Sequence, residues 1–227
     1  MKITVINGSP KGERSDTLKI TKAFLKGMKE EADVIDTMKE KVNPCLGCYS
    51  CWTRTPGVCV QKDGMEKILE KIKNSDLVIW SAPLYCYGLP SNCKAVIDRM
   101  IPMSMPNQIV DSNNQTRHPK RNEKNARHIL ISSCGFPDRE GNFDGLVFQF
   151  TRMFGKASPI ILCSEAPMLS VAIASFVTVP YLLLVKKAGS EFAKSGNISE
   201  QTMSKLNKLM LPADEYRKHA DKTFGVK

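Results

Sequence analysis

Four cysteines and one hydroxyl-rich loop carry most of the chemistry that this 227-residue sequence offers. Cys45, Cys48, Cys51 and Cys59 follow the spacing C-x2-C-x2-C-x7-C. Thiolates at x2 spacing can wrap an iron–sulfur cluster if the backbone between them turns sharply, and Gly47 supplies that freedom. Zinc also accepts four thiolates, although its usual pattern is two separated C-x2-C pairs. Buried free cysteines can simply pack, but three within seven residues of a polar loop fit that reading poorly. On spacing alone, a [4Fe–4S] cluster, a metal-free thiol set and zinc all stay open.

The second feature is the stretch Lys2–Thr17, KITVINGSPKGERSDT. Ile3, Val5 and Ile6 form a short β-branched run of the kind buried on both faces of a sheet. Asn7-Gly8-Ser9-Pro10 ends the strand, and Ser15-Asp16-Thr17 offers cap residues to an amphipathic helix over Leu18–Met28. A strand-to-helix loop with Ser9, Lys11, Ser15 and Thr17 is suited to an anion, because a helix N-terminus presents unpaired N–H groups and positive potential. The loop has no G-x-G-x-x-G and no G-K-[ST], which excludes the dinucleotide fingerprint and the nucleotide P-loop. A single terminal phosphate, as in FMN, suits it better than a chain of phosphates. The competing reading is a plain βα turn.

Elements must position these residues, and the pattern beyond them alternates. Strands are expected at Ala32–Thr37, Leu77–Trp80, His128–Ser133 and Pro159–Cys163, and helices at Met65–Lys73, Ser91–Met100 and Phe143–Phe154. Asp63 is placed to cap the first of these helices. Further helices are expected near Tyr181–Lys194 and Ser199–Leu209. Strands and helices at this spacing predict parallel βαβ units in a doubly wound α/β sheet, with ligands at the carboxyl ends of the strands. Three distinctive loops then meet at one edge: Ser9–Thr17, Pro83–Pro90 and Ser133–Phe136. The polar segment Pro102–Lys124 has no usable periodicity, and its length points to an ordered lid or subunit contact. Its basic His118–Arg121 group is available there for an anionic nicotinamide cofactor.

Bulk properties narrow the class. The net charge of +10 arises from 33 Lys and Arg spread along the chain. No nucleic-acid motif accompanies them, so nucleic acid is not expected as a partner. The 42% hydrophobic content is enough for one sizeable core. No apolar run reaches the about 18 residues of a membrane span, and the first residues enter a strand, so a soluble cytoplasmic chain with no membrane partner is expected. Eight cysteines in a cytosolic chain, four of them bunched, argue metal or redox chemistry over disulfides. The dispersed Cys86, Cys93, Cys134 and Cys163 read as ordinary, and three unpatterned histidines give no metal-hydrolase site.

The loop GSPKGERSDT, the loop SAPLYCYGLP and the following Lys94, Asp98 and Arg99 resemble the NADPH-dependent FMN reductases of the flavodoxin-like superfamily. The block PCLGCYSCWTRTPGVCVQKDGM is similar to the iron-sulfur flavoproteins within that group. The resemblance implies a five-stranded flavodoxin-like domain over residues 1–165 and a helical extension of the same domain over 166–227. Ser9, Pro10, Lys11, Ser15, Asp16 and Thr17 match the FMN phosphate loop, with Lys11 where an Arg is common. Pro83, Leu84, Tyr85, Cys86, Tyr87 and Gly88 match the loop beside the isoalloxazine ring. Cys86 stands where many relatives carry an aromatic residue, which leaves Tyr85 or Tyr87 to stack. Ser133, Cys134 and Gly135 match the third loop. The resemblance further implies an enzyme that takes a hydride from NAD(P)H and passes electrons to a small-molecule or protein acceptor. No catalytic side chain is required. Cys45, Cys48, Cys51 and Cys59 are the candidate cluster ligands, and a homodimer or homotetramer in which a neighbouring subunit completes the flavin pocket is implied. The main alternative is a flavodoxin-like electron carrier without catalytic turnover.

Overall fold

A computed structural model describes residues 1–121, 126–223 and 225–226. Its central sheet is built from β1 (Ile3–Asn7), β2 (Asp33–Asp36), β3 (Leu77–Pro83), β6 (Arg127–Ser133) and β7 (Ile160–Cys163). All four neighbouring pairs are parallel, in the order β2-β1-β3-β6-β7. This is the flavodoxin-like order, whose strand direction of growth reverses beside β1 and opens a crevice there.

Each central strand divides its residues between two cores, as a period of two requires. Ile3, Val5, Leu77, Ile79, Ile129 and Ile131 face α1 (Asp16–Met28) and the long α6 (Ser175–Ser195). Ile6, Val78, Trp80 and Leu130 face the opposite layer of α3 (Met65–Asn74), α4 (Ser91–Asp98) and α5 (Asp144–Phe154). Trp80 is wholly buried there, so it is a core residue. Cys93 and Cys163 are likewise buried without partners in disulfides.

α1 and α6 touch backbone to backbone. A Cβ added at Gly27 would stand 1.8 Å from Lys186 O, and one at Gly189 would stand 2.0 Å from Phe24 O. Small residues at these two positions let the first and last long helices share one layer. By length and composition the Ala172–Ser195 helix is apolar enough to cross a membrane, with a mean hydropathy of 1.3. In this fold its buried face, including Tyr181, Val185, Ala188 and Phe192, belongs to the sheet core.

Several boundaries move relative to the sequence reading. β3 runs on through Pro83 because Ser81, Ala82 and Pro83 pair with Ile131, Ser132 and Ser133. α6 begins at Ser175, six residues before the expected start, and carries Pro180 inside it. The proline forfeits one helical N–H but does not end the helix. α7 (Glu200–Leu206) starts from a Ser199 cap that accepts from Thr202 N at 3.2 Å. A final helix, α8 (Ala213–Thr223), has a polar composition that hides it from a periodicity search.

The segment from Pro102 is described through Arg121, and 122–124 lie outside the described residues. It contains a small hairpin of β4 (Ile109–Val110) and β5 (Thr116–Arg117). Two of its basic residues, Arg117 and Arg121, already have protein partners, while His118 and Lys120 are exposed. Arg121 donates to Pro102 O and Ser104 O, and Arg117 pairs with Asp111. His118 packs on the Trp52 ring, with centroids 4.7 Å apart.

Candidate functional site

The recess at the switch point is built from three loops on three strands. The first begins where β1 ends. Asn7 Nδ2 donates to Gly12 O at 3.1 Å, and Asn7 Oδ1 accepts from Ser9 N at 3.3 Å, so one side chain folds the whole turn. Ser15 caps α1 by accepting from Leu18 N at 3.2 Å. Ser9, Ser15 and Thr17 are nearly fully buried around the helix N-terminus. The Thr17 hydroxyl lies 2.6 Å from that of Ser133 in the third loop.

Ser9, Lys11, Ser15, Asp16, Thr17, Pro83, Leu84, Tyr85, Ser133, Cys134 and Gly135 line one open recess of about 150 Å³. These are eleven of the fifteen cofactor residues that the resemblance points to. Pro10, Cys86, Tyr87 and Gly88 are not in its lining. Tyr85 and Gly88 pair through reciprocal backbone hydrogen bonds of 2.9 and 3.0 Å, closing a two-residue turn. Cys86 and Tyr87 fill that turn with φ of 46° and 64°. Both point the chain outward, leaving Tyr85 as the aromatic at the recess.

Asp16 places a carboxylate among these donors. Lys11 and Lys19 balance it at 3.4 and 3.1 Å, and Ser170 donates to it as well. The local charge is therefore positive overall, and anion binding does not meet an unpaired carboxylate.

Sequence reasoning missed the residues that close the third loop from behind. Ala166 and Pro167 complete the lining of the recess. Tyr216, in α8, donates from its hydroxyl to Gly135 O at 2.7 Å. Glu165 is wholly buried at a left-handed φ of 58°, and its Oε2 accepts from Met210 N at 2.6 Å and Leu211 N at 3.4 Å. Burial pushes its carboxyl up, against the lowering effect of those two N–H groups. The positive φ at a non-glycine residue and the distance in sequence leave no local pattern to read.

The cysteine loop forms a separate site between β2 and α3. Gly47 adopts φ 64°, as a reversal between Cys45 and Cys48 demands, and Tyr49 follows at 50°. The single turn α2 (Ser50–Thr53) then folds the chain back, with Gly57 N donating to Cys51 O at 2.9 Å. This return brings Cys59 to the others, and Cys45, Cys48, Cys51 and Cys59 line one small cavity. Burial raises the Cys51 thiol, and the nearby Cys59, Cys48 and Cys45 sulfurs add to the effect. The Ser50 hydroxyl and backbone lower Cys48, and Arg54 in turn donates to Ser50 Oγ at 2.7 Å.

Among the described residues no three His, Cys, Asp or Glu side chains converge on a single metal-ion position. One zinc ion would require its four sulfurs within about 3.8 Å of one another, given Zn–S bonds of about 2.3 Å. A four-iron cluster instead gives each thiolate its own iron, so its ligands surround a wider space. Trp52 anchors the loop from outside: its Nε1 donates to Ile101 O at 3.2 Å and Ser104 O at 3.0 Å.

An iron-sulfur flavoprotein of Methanosarcina thermophila is 40% identical over 105 residues, which cover 44% of this chain and 53% of that protein. A second, from Methanocaldococcus jannaschii, is 32% identical over 111 residues, 48% of this chain and 56% of that one. The chain thus spans about half the length of the curated relatives it matches. Among solved structures, an FMN-dependent NADH-azoreductase from Bacillus anthracis in complex with FMN superposes with a TM-score of 0.61. It shares 18% identity and covers 85% of this chain and all of its own. An NAD(P)H:quinone oxidoreductase from Methanothermobacter marburgensis gives 0.56 at 14% identity, covering 85% of this chain and 96% of its own. These two likenesses establish the fold. Residues 1–128, more than half of the chain, match a family described as NADPH-dependent FMN reductase. With its β2-β1-β3-β6-β7 sheet and three-loop recess, the chain belongs to that family.

Proposed function

We propose that this protein is an FMN-dependent oxidoreductase that takes a hydride from NAD(P)H and passes the electrons to a small-molecule or protein acceptor. The observation that carries the reading is the convergence of three loops on one hydroxyl-lined recess at the N-terminus of α1. The recess fits the phosphate end of FMN: Ser9, Ser15, Thr17 and Ser133 offer hydroxyls, Lys11 offers charge, and the helix dipole favours an anion. Bound FMN would supply the two-electron acceptor for the hydride, chemistry that no side chain here provides. The residues hold and orient it. Pro83, Leu84 and Tyr85 of the second loop, which line the recess, would lie beside the ring.

At about 150 Å³ the recess is smaller than the roughly 300 Å³ at which usual ligand pockets begin. Tyr85, Tyr87 and Phe136, on the loops around it, remain exposed. Both facts support a homodimer or homotetramer in which a second chain covers the ring. Cys45, Cys48, Cys51 and Cys59 are the residues that would hold a [4Fe–4S] cluster, which would relay single electrons onward. Relatives that match about half of this chain are named iron-sulfur flavoproteins, which supports that assignment.

Anaerobic purification with identification of the released flavin, together with iron and sulfide analysis, tests both assignments. Fewer than one iron per chain after reconstitution, with FMN bound, would remove the cluster. Steady NAD(P)H oxidation with an added acceptor is expected. A flavin-loaded protein without it would be an electron carrier.

A further inference from the structure

The cysteine cavity has a fifth side chain whose presence thiol chemistry alone does not require. Arg99 follows α4 and is one of the largest fully buried side chains, with 1% exposure. Its Nη1 donates to Asp63 Oδ2 at 2.8 Å and to Asn43 O at 2.9 Å, and its Nη2 donates to Asp63 Oδ1 at 3.0 Å. This fork-on-fork pairing uses the end of the guanidinium. Nε, equally buried, has no hydrogen-bond partner among the described residues. An unmade hydrogen bond on a buried cation is unfavourable, so a fully packed arginine with one idle donor is a feature to be explained.

The same guanidinium lines the cavity together with Cys45, Cys48, Cys51 and Cys59. Cys59 lines that cavity with it and is the cysteine whose sulfur acts electrostatically on the guanidinium. Asp63 is itself fixed, accepting from Asn43 N at 3.0 Å and Met65 N at 3.1 Å, so the pair cannot swing away. A rigid cation is therefore held against one edge of the thiolate set, with an unused N–H on it.

Resting on the reading that the four cysteines hold an iron–sulfur cluster, we propose that Arg99 is a positioning residue for it. Braced by Asp63, it donates its Nε hydrogen to the Cys59 thiolate and raises the reduction potential of the cluster. The physical reason is that reduction adds negative charge to the cluster and its thiolates. Hydrogen bonds and positive charge at the sulfurs favour that state, and outer partners of metal ligands tune them in this way. A brace that merely held the loop in shape would leave the potential unmoved.

The test compares reconstituted wild-type protein with Arg99→Lys and with the neutral pair Arg99→Gln/Asp63→Asn. Potentiometric titration followed by electron paramagnetic resonance reads the cluster, and the FMN potentials in the same samples serve as the internal reference. The expected result is full iron loading in all three and a cluster that is at least tenfold harder to reduce in the neutral pair, about 59 mV for one electron. An unchanged cluster potential at full loading overturns the proposal and leaves the cluster reading intact. Wild-type protein that takes up no iron overturns both. A measurement that needs no change at Arg99 covers the case where these variants do not fold. In Arg54→Lys protein grown on 15N-guanidino arginine, pulsed resonance of the reduced cluster should show a coupled 15N nucleus. Its absence also overturns the proposal.

Discussion

The hydroxyls of Thr17 and Ser133 lie 2.6 Å apart although 116 residues separate them in the chain. Both are almost fully buried. The contact joins the start of α1 to the carboxyl end of β6, and so ties the first loop of the recess to the third. Each hydroxyl also lines the space proposed for the FMN phosphate.

Thr17→Val and Ser133→Ala should each weaken FMN binding about 3- to 10-fold, the cost of about 1 kcal/mol for one hydrogen bond. Combined, they should cost less than the sum, because the second change removes a partner already lost. Quenching of flavin fluorescence across the four proteins measures the coupling. Strict additivity would mean that the two loops bind independently.

Tyr216 holds the third loop from behind through Gly135 O. Tyr216→Phe keeps the ring packed and removes the hydroxyl. FMN affinity is expected to fall several-fold, with global stability reduced by only about 1 kcal/mol. Calorimetric titration together with urea unfolding separates the two effects. Equal FMN affinity would show that the loop keeps its shape without α8.

Gly27 and Gly189 admit close backbone contact between α1 and α6. Alanine at either site must push the helices apart, since the obstacle is a carbonyl and not a flexible side chain. A loss of about 1–3 kcal/mol is expected for each, as for other overpacked cores. Urea midpoints give the value, and a change under 0.5 kcal/mol, on the order of a surface substitution, would contradict the packing described.

His128 stacks on Phe154 with ring centroids 4.0 Å apart and accepts from Trp80 Nε1 at 3.2 Å. Burial, helped by the charge of Lys120, pushes its imidazole down to about 3. The unfolded chain protonates it near pH 6.5 and the folded chain does not, so folding excludes a proton between those values. Stability is therefore complete above about pH 6.5 and falls as pH drops toward 3, by at most about 1.4 kcal/mol per unit. Unfolding titrations at pH 7 and 4.5 should show this slope in wild type and a flatter one in His128→Gln.

The sheet was legible because its strands carry uninterrupted runs of β-branched and other apolar residues, such as Ile3–Ile6 and Leu77–Trp80, and its βα loops carry caps such as Ser15. The site was legible where the residues sit in one loop. Eleven of the residues assigned to FMN do line one recess, and all four cysteines line another. What stayed hidden depends on contacts distant in sequence. Nothing near Tyr216 announces that its hydroxyl meets Gly135, and nothing in HPKR shows that backbone carbonyls will claim Arg121. Arg99 was visible as part of a motif, but its fork on Asp63 requires α3 and α4 to be packed first.

α4 begins one residue after Leu89-Pro90 of the flavin loop and ends one residue before Arg99 at the cysteine cavity. Its eight residues set a rise of about 12 Å between the two ends. The helix is thus a ruler as well as a wall of the core. Insertion of one alanine in its exposed face would lengthen it by about 1.5 Å and turn Arg99 about 100° away from Asp63. The two candidate redox sites would fall out of step although no residue of either had been replaced.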